Sequence, residues 1–342
     1  MSAVDEMDLG ALGPYLEEHV PGFRGLRDAV KFKDGQSNPT FKITAESGVY
    51  VLRRQPPGEL LKSAHQVDRE FRAIAALADT EVPVPQALHL CEDRSVIGSM
   101  FYVMSFEDGR VLWSPRLEEA TPTDRAQIYD EMNRVLAALH NVDVAAAGLS
   151  DFGKPGDYFE RQTSRWTKQY RASETESHAA MDALIEWLPA NTPEDDGTVS
   201  LIHGDYRLDN MVFHKTENRV IAVLDWELST LGHPFADLAY QCMQLRMPPF
   251  GQLGGLGGVD RAALGIPSEE AYVQAYCERR GLSGIPHWNY YLAFSGFRLA
   301  AIIQGVYKRG LDGNASSSKA TQYGSLVPQL GGMALEWAEK RA

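Results

Sequence analysis

Leu201-Ile202-His203-Gly204-Asp205-Tyr206-Arg207-Leu208-Asp209-Asn210 is the stretch that decides how this chain is interpreted, together with the Asp225-Trp226-Glu227 that follows it. Asp205 lies two residues after His203, and Asn210 lies five residues after Asp205. Catalytic loops of the protein-kinase type have these intervals, and in them the Asp orients a hydroxyl and the Asn binds Mg²⁺. The stretch therefore predicts a phosphoryl-transfer site.

The residues after Asn210 predict a β-hairpin. The apolar runs Met211 to Phe213 and Val220 to Leu224 lie on either side of the polar turn Lys215 to Asn218. Such a hairpin returns the chain beside Asn210 and places Asp225 at the end of a buried strand. Mg²⁺ prefers oxygen ligands, takes few of them from a protein and keeps its waters. We therefore expect Asn210 and Asp225 to hold Mg²⁺ against the phosphates of ATP.

Each of these residues also has an ordinary structural explanation. Asp205 after His-Gly suits a turn cap, Asn210 before a strand suits a loop amide, and His203 near a core is usually only hydrogen-bonded. Catalysis is the preferred explanation because three residues keep the required spacing and Asp225 adds a fourth at a strand end.

The composition indicates a protein of the cytoplasm with a large core. At 342 residues the chain favours two lobes or domains. Its 33 Lys and Arg against 46 Asp and Glu give a net charge of −13, which disfavours nucleic acid and anionic membrane as partners. The charge permits a cationic substrate, although an acidic surface that promotes solubility is the ordinary explanation.

The cysteines indicate a reducing compartment. Cys91, Cys242 and Cys277 lie far apart and match no metal-ligand spacing, so reduced thiols are expected.

No segment has the pattern of a signal peptide or a membrane span. Met1 to Leu12 carries acidic residues and lacks a basic start and an apolar core. The longest apolar stretch, Asn289 to Tyr307, contains Arg298 and is therefore expected to be a buried helix. We expect no membrane contact.

Hydrophobic periodicity predicts an α+β fold of two lobes: a small antiparallel β-rich N-lobe, residues 1–106, and a large mainly helical C-lobe, residues 107–342, with the hinge near 101–110. The predicted N-lobe elements are helices Val4 to His19 and His65 to Leu77 and strands Ala29 to Asp34, Thr40 to Ala45, Val49 to Arg54, Ala87 to Cys91 and Met100 to Phe106. The predicted C-lobe helices are Thr123 to His140, Tyr158 to Ser173, His178 to Leu188, His233 to Met243, Ser268 to Arg280, Trp288 to Tyr307 and Ala320 to Lys340.

The first lobe offers a phosphate cover and a cation. Gly35, Gln36, Ser37 and Asn38 lie between two predicted strands and supply small residues and backbone donors, although a plain hairpin turn is the default explanation. The strand that follows ends in basic residues.

Arg53 and Glu70 are the predicted ion pair of this lobe. Glu70 falls on the same helix face as Val67, so its carboxylate needs a partner, and Arg53 is the preferred one. The pair would reach the α- and β-phosphates of ATP. The alternative is an exposed Glu70 paired with Arg69 or Arg72.

The glycine-rich stretch Phe250 to Gly258 lacks the Lys-Ser or Lys-Thr of a P-loop. We expect a flexible connection there, or less favourably a lid over the substrate.

With these residues assembled, the chain resembles the aminoglycoside phosphotransferase and choline kinase-like family, which has the protein-kinase-like fold. The resemblance spans about Ala29 to Tyr307. The motifs that carry it are His203-Gly204-Asp205 with Asn210, Asp225-Trp226-Glu227, and Gly232-His233-Pro234 with Asp237-Leu238-Ala239. Gly35-Gln36-Ser37-Asn38, Val51-Leu52-Arg53-Arg54 and Ala64 to Glu70 look closest to the branch found fused to acyl-CoA dehydrogenases.

The resemblance implies specific roles. It makes Asp205 the catalytic base, Asn210 and Asp225 the Mg²⁺ ligands, and Glu70 the residue that orients the phosphate-binding cation. It makes Asp237 a structural residue that holds the active-site loops, and Phe101 to Glu107 the hinge that pairs with adenine. Most of the family has Lys where this chain has Arg53, whose planar fork grips two phosphate oxygens instead of acting as a point charge.

The sequence thus predicts an ATP- and Mg²⁺-dependent kinase that acts on a hydroxyl of a small molecule. The acceptor is not encoded in the motifs; a hydroxyacyl thioester is suggested only by analogy with the fused branch. Two other classes stay open: a nucleotide-binding pseudokinase or regulatory module, and a metal-dependent hydrolase that uses His203, His214 and His233.

Overall fold

A computed structural model describes residues 7–32, 38–56, 65–249, 254–313 and 320–340. The chain divides into two compact units. The first unit contains the chain up to Val111, Ala146–Leu149 and Asn210–Ser229, and the second contains Leu112–Ala145, Ser150–Asp209 and the chain from Thr230.

An antiparallel sheet of five strands forms the centre of the first unit. Its strand order is β1-β2-β3-β5-β4. The strands are β1 (Leu26–Lys31), β2 (Thr40–Ala45), β3 (Gly48–Arg54), β4 (Ala87–Cys91) and β5 (Phe101–Ser105), and the helices of this part are α1 (Leu9–His19) and α2 (Val67–Leu77). Helix α1 begins at Leu9 because the Asp8 carboxylate accepts the N–H groups of Gly10 and Ala11. Apolar side chains of α1 and of alternate strand positions form a buried core.

A second, smaller sheet carries Asn210 and Asp225 in the first unit. Its strands are β6 (Arg110–Val111), β8 (Met211–Phe213) and β9 (Val220–Val223), in the order β6-β8-β9. A short 3-10 helix, Leu208–Asn210, precedes the hairpin, and another, Trp226–Leu228, follows it. The predicted hairpin is confirmed, with its second strand one residue shorter than expected.

The second unit is mainly helical. Its helices are α3 (Pro122–His140), α4 (Tyr158–Ser173), α5 (Ala179–Ala190), α6 (Phe235–Arg246), α7 (Arg261–Leu264), α8 (Glu269–Arg280), α9 (Trp288–Leu311) and α10 (Leu326–Glu339), and a 3-10 turn spans Ala320–Tyr323. Two three-residue strands, β7 (Ser200–Ile202) and β10 (Thr230–Gly232), pair antiparallel. Helix α9 packs against α4, α6 and α10 and is buried on most of its surface.

Local sequence explains several helix ends. Thr121 and Asp124 form a capping box at the start of α3, and Ser268 caps α8, whose C-terminus ends at Gly281 with a left-handed φ of 66°.

The predicted C-terminal helix, Ala320 to Lys340, is wrong over its first residues, because α10 begins only at Leu326. Gly324, where a Cβ would lie 2.7 Å from the Tyr307 ring, separates a 3-10 turn from α10.

The described part of the glycine-rich stretch is closely packed, which corrects the expectation of a flexible connection there. A Cβ at Gly255 would lie 2.0 Å from the Met247 carbonyl oxygen. Leu256 is fully buried, and its N–H donates to the Gln244 carbonyl. Glycine is needed here for close approach of two backbone segments. Residues 250–253 lie outside the described part.

The α+β prediction is confirmed, with an antiparallel sheet in the first unit and helices in the second. Within the described ranges, no helix is both long and apolar enough to cross a bilayer.

Candidate active site

The turn that follows β7 is held by its backbone. We call residues 203–209 the Asp205 loop. The carboxylate of Asp237, in the first turn of α6, accepts the N–H of His203 at 2.6 Å and the N–H of Gly204 at 2.9 Å. Gly204 has a φ of 83°, which only glycine adopts without strain. Asp237 therefore fixes the path of the chain into Asp205, as the resemblance implied.

Asp237 is itself fully buried and is held ionised by its neighbours. Burial would raise the pKa of Asp237, but the hydrogen bond from His140 and the approach of the His203 N–H lower the pKa overall. His140 Nε2 lies 3.4 Å from Asp237, and its Nδ1 lies 2.7 Å from the Tyr276 hydroxyl. Burial lowers the pKa of His140, so a neutral ring donates to Asp237 and accepts from Tyr276.

Arg298 holds the other side of the same turn. Its guanidinium, 6% exposed on α9, donates to the Gly204 carbonyl at 2.5 Å. It also lies over the rings of Tyr240 and Trp166, at 5.2 and 5.6 Å from their centroids. Both backbone groups of Gly204 are thus bound by charged side chains, which is an arrangement that makes the loop rigid.

The Asp205 side chain is 26% exposed and contacts two side chains of the second unit. The Tyr240 hydroxyl donates to its carboxylate. Arg207 Nε lies 3.9 Å from Asp205 Oδ1, while the same guanidinium donates to both carboxylate oxygens of Asp209, from Nε at 3.0 Å and from Nη2. Asp205 is therefore anchored but still open to solvent.

A buried cation forms the centre of the first unit's site. Arg53, at the end of β3, contacts Glu70 at 2.9 Å through Nε and Asp225 at 2.6 Å through Nη2. Glu227 lies 3.5 Å away. We call these four residues the Arg53 cluster. Burial would lower the pKa of Arg53, but Glu70 and Asp225 outweigh it and raise the pKa further, so the guanidinium stays charged.

Glu70 is the most deeply buried member of the Arg53 cluster. It is fully buried on α2, accepts a hydrogen bond of 2.7 Å from Asn38 Nδ2 and one of 3.3 Å from the Tyr102 hydroxyl. Burial raises the pKa of Glu70 to about 7, against the opposing effect of Arg53. The pairing of Arg53 with Glu70 is as predicted, and the alternative of an exposed Glu70 paired with Arg69 or Arg72 is wrong.

The hairpin brings Asn210 and Asp225 together. The Leu224 N–H donates to the Asn210 carbonyl at 2.8 Å, so Asp225 follows directly after the residue opposite Asn210. Asp225 has a left-handed φ of 63°, and the buried Trp226 next to it donates to the Val223 carbonyl. Non-glycine residues rarely take this conformation, and Asp does so at low cost.

The donors on this hairpin suit Mg²⁺. Asn210 offers an amide oxygen and Asp225 a carboxylate that is 33% exposed, and Mg²⁺ commonly takes one or two such ligands together with phosphate oxygens. Within the described residues, no group of three or more His, Cys, Asp or Glu side chains could hold a metal alone.

Of the four residues predicted to cover the phosphates, only Asn38 lies within the described residues. Asn38 is buried against Glu70 and His65 instead of standing in an open cover, with His65 Nδ1 2.9 Å from Asn38 Oδ1. Gly35, Gln36 and Ser37 lie outside the described residues. Asp205 belongs to the second unit and Asn210 and Asp225 to the first, so their convergence stays a prediction.

Sequence reasoning did not assign roles to Arg298, Tyr240 or His140. Arg298 had a usable signal, since an Arg inside an otherwise apolar helix must find a partner. Tyr240 and His140 had none, because both are ordinary residues of helices that meet only through tertiary packing.

The histidines of the hydrolase alternative have other neighbours. His203 Nδ1 accepts the Asp205 N–H, and His214 Nδ1 lies 3.3 Å from the N–H of Glu217. His233 lies among aromatic rings, and burial lowers its pKa to about 4.

Comparison with known proteins identifies the family. The model of the phosphotransferase enzyme family matches residues 28–284. The chain belongs to this family. It is 48% identical over 331 residues to acyl-CoA dehydrogenase family member 10 of Mus musculus, covering 95% of this chain and 31% of that protein. It is 42% identical to acyl-CoA dehydrogenase family member 11 of Homo sapiens, covering 98% of this chain and 44% of that protein. The chain thus spans less than half the length of these relatives.

Solved structures give the same fold. A protein of Ralstonia eutropha JMP134, provisionally described as an aminoglycoside phosphotransferase, is 50% identical with a TM-score of 0.90, covering 98% of this chain and 100% of its own. The spectinomycin phosphotransferase APH(9)-Ia is 14% identical with a TM-score of 0.65, covering 97% of this chain and 99% of its own. The fold is that of the protein-kinase-like phosphotransferases, as the resemblance implied, and the family supports phosphoryl transfer to a small molecule.

Proposed function

We propose that this protein is an ATP- and Mg²⁺-dependent phosphotransferase that moves the γ-phosphate of ATP to a hydroxyl of a small molecule. The Arg53 cluster is the observation that carries the proposal. One guanidinium contacts a helix carboxylate, Glu70, and a carboxylate at a strand end, Asp225. Kinases need a phosphate-binding cation held by a helix carboxylate and a second carboxylate for the metal.

The first unit would bind the nucleotide. Arg53 would grip α- and β-phosphate oxygens with its fork, and Glu70 would hold the guanidinium in place. Asn210 and Asp225 would hold Mg²⁺, which when bound neutralises phosphate charge. The complexes of APH(4)-Ia with ADP and of APH(9)-Ia with ADP, proteins of the same fold, support a nucleotide site of this kind.

Asp205 would orient the acceptor hydroxyl and take its proton. Because Asp237 and Arg298 fix the backbone on both sides of Gly204, the carboxylate is held without being buried. The Tyr240 hydroxyl donates to the carboxylate, which is 26% exposed and can therefore be reached by a substrate. A positioned base typically contributes about 10²- to 10⁴-fold to a rate.

The acceptor remains the open part of the proposal. APH(4)-Ia and APH(9)-Ia were solved with hygromycin B and spectinomycin, whereas the relatives of higher identity are acyl-CoA dehydrogenase family members. A hydroxyacyl thioester or related metabolite is therefore the acceptor that we would test before an antibiotic. Location in the cytoplasm, where ATP and reduced thiols are available, fits the three free cysteines.

The test is transfer of label from γ-labelled ATP to a panel of hydroxy compounds, in the wild type and in Asp205→Asn. We expect a compound that is phosphorylated only with Mg²⁺ present, and a fall of about 10²- to 10⁴-fold in kcat for Asp205→Asn. The melting temperature should change by no more than about 2 °C, because the backbone of the loop is held by Asp237.

Asp130→Asn is the matched control. Asp130 lies on α3 of the same unit and is ion-paired to Arg279 at 2.6 Å, but it belongs to neither the Asp205 loop nor the proposed acceptor site. We expect its kcat to stay within about tenfold of the wild type, as for a partly exposed ion pair. Equal activity of Asp205→Asn and the wild type would contradict the proposal, as would equal losses in the two variants.

A further inference from the structure

A small pocket lies beside the Asp205 loop within the second unit. Its volume is about 60 Å³. Residues from three parts of the second unit line it, among them Trp113, Arg207, Tyr240, Gln241, Met243 and Leu299. Two of these lining residues, Tyr240 and Arg207, are the two neighbours of the Asp205 carboxylate described above. The pocket is therefore positioned to receive the part of an acceptor next to its reacting hydroxyl.

Gln241 is the unusual residue of this pocket. It is 2% exposed, and neither Oε1 nor Nε2 of its carboxamide has a hydrogen-bond partner among the described residues. An unpaired buried amide is unfavourable for folding, so such a group calls for an explanation. Comparable glutamines are partnered: Gln244 Nε2 donates to the Gly254 carbonyl at 3.0 Å, and Gln304 Nε2 donates to the Ser173 carbonyl at 2.7 Å.

The two charged residues that line the pocket are paired with each other. Asp209, the carboxylate that lines it, accepts from both Nε and Nη2 of the Arg207 guanidinium. Met243 and Leu299 add apolar walls, and the rim carries Trp113, which is 65% exposed. Such a lining offers no free charge to an ionic group but favours an uncharged one.

We propose that Gln241 is an acceptor-specificity residue, whose carboxamide binds an uncharged acceptor group that both donates and accepts a hydrogen bond. This inference rests on the proposed function. The carboxamide has donors on Nε2 and an acceptor in Oε1, and neither atom has a partner within the described part of the chain. An amide or a second hydroxyl satisfies both atoms, whereas a carboxylate only accepts and an ammonium group only donates.

Stability gives a first test that needs no substrate. Replacing an unpaired buried amide with an apolar group of similar shape removes the penalty, so Gln241→Met should keep or raise the melting temperature. Gln304→Met is the matched control, since it deletes a buried glutamine with a bonded Nε2, and its melting temperature should fall. A fall in Gln241→Met as large as in Gln304→Met would mean that Gln241 has a structural partner and would overturn the inference.

Substrate preference gives the second test. Short ω-hydroxy compounds of equal length, ending in an amide, a hydroxyl, a carboxylate or an ammonium group, would be compared by kcat/KM with Mg²⁺ and ATP. We expect the amide or the hydroxyl compound to be preferred by about tenfold or more over both ionic compounds. Comparing the amide compound with the hydroxyl compound shows which of these two groups binds the carboxamide of Gln241.

Variants then connect the preference to the residue. Gln241→Met should remove the preference, mainly by raising KM, and Gln241→Glu, which only accepts when ionised, should shift it toward the ammonium compound. A preference that is the same in the wild type and Gln241→Met would overturn the inference, and so would a panel in which an ionic compound is preferred or none is phosphorylated.

Failure of the inference and failure of the proposed function are distinguishable. If Asp205→Asn abolishes transfer while Gln241→Met leaves the preference unchanged, only the specificity inference fails. If Asp205→Asn transfers phosphate as well as the wild type, the proposed function fails, whatever Gln241 does.

Discussion

The Arg53 cluster of the first unit and the Asp205 loop of the second are held in different ways. In the Arg53 cluster, side chains bind side chains: one guanidinium lies within 3.5 Å of three carboxylates. In the Asp205 loop, side chains bind backbone: Asp237 accepts two N–H groups and Arg298 donates to a carbonyl. The first arrangement has excess negative charge, and the second has a fixed chain path.

Because of this difference, the two sites should tolerate different substitutions. A cluster with more carboxylates than cations is ready to accept a further cation, and its balance changes with charge and pH. A loop tied through its backbone keeps its shape when Asp205 changes, but loses it when the residue that ties it changes. The comparison therefore predicts effects of different size and sign in the two units.

Asp237→Ala should have the largest effect on folding. It leaves the N–H groups of His203 and Gly204 buried without an acceptor and His140 without its carboxylate, at a cost of about 4 kcal/mol. Urea denaturation of the purified variant would measure this loss. Asp205→Ala is the control, expected within about 1 kcal/mol of the wild type. Equal losses in the two variants would mean that the loop is not held by Asp237.

Arg53→Met should have the next largest effect. It leaves the fully buried Glu70 without its counter-ion, which costs about 3 kcal/mol after protonation of Glu70 relieves part of the penalty. Arg53→Lys keeps the charge and should lose less than half as much, although it loses the fork that reaches Asp225. Titration calorimetry with ATP and Mg²⁺ should detect no binding to Arg53→Met. Unchanged nucleotide affinity would remove Arg53 from the site.

His233 of the second unit and Glu70 of the first should respond to acid with opposite signs, and the lowered pKa values of His65 and His89 oppose the contribution of Glu70 within the first unit. His233, with a folded pKa of about 4 against an ordinary 6.5, stabilises the second unit fully above pH 6.5, and this contribution is lost as the pH falls. Between pH 7 and pH 5 the loss is about 2 kcal/mol, and buried His140 adds to it in the same direction. Glu70 contributes with the opposite sign. Because its pKa is raised in the folded protein, its contribution to the stability of the first unit increases as the pH falls from about 7 toward 4.5.

Hydrogen exchange corrected for intrinsic rates would separate these responses. At pH 5 relative to pH 7, amides of α6 should lose protection, while those of α2, where Glu70 opposes His65, should lose less. His233→Asn, whose side-chain oxygen can still accept the Phe235 N–H, should reduce the loss in α6 and leave α2 unchanged. A loss in α6 that is the same in His233→Asn and in the wild type would contradict the pKa shift assigned to His233.

The sequence predicted those parts of the site that depend on local pattern. Helical spacing placed Glu70 on the apolar face of α2, and the two apolar runs predicted the hairpin between Asn210 and Asp225. The parts that depend on tertiary contact were not predictable. The strands β7 and β10 are three residues each, too short for a periodic signal, and no sequence pattern marks the left-handed φ of Asp225.

Roles that depend on contacts between distant parts of the chain were the hardest to predict. Arg298 lies 94 positions along the chain from the Gly204 carbonyl that it binds, and no spacing rule joins them. Gly255 sits in a stretch whose composition suggests flexibility, although it is glycine because the Met247 carbonyl leaves no room for a side chain. Composition reports that glycines are present but not whether they serve motion or close packing.

The most direct test of the account is a crystal structure of the protein with AMP-PNP and Mn²⁺, using the anomalous signal of the metal. We predict a metal peak bound by Asn210, Asp225 and the phosphates, Arg53 turned from Asp225 toward phosphate oxygens, and the Asp205 carboxylate facing the γ-phosphate. A metal peak away from Asn210 and Asp225, or Asp205 directed away from a bound γ-phosphate, would contradict it.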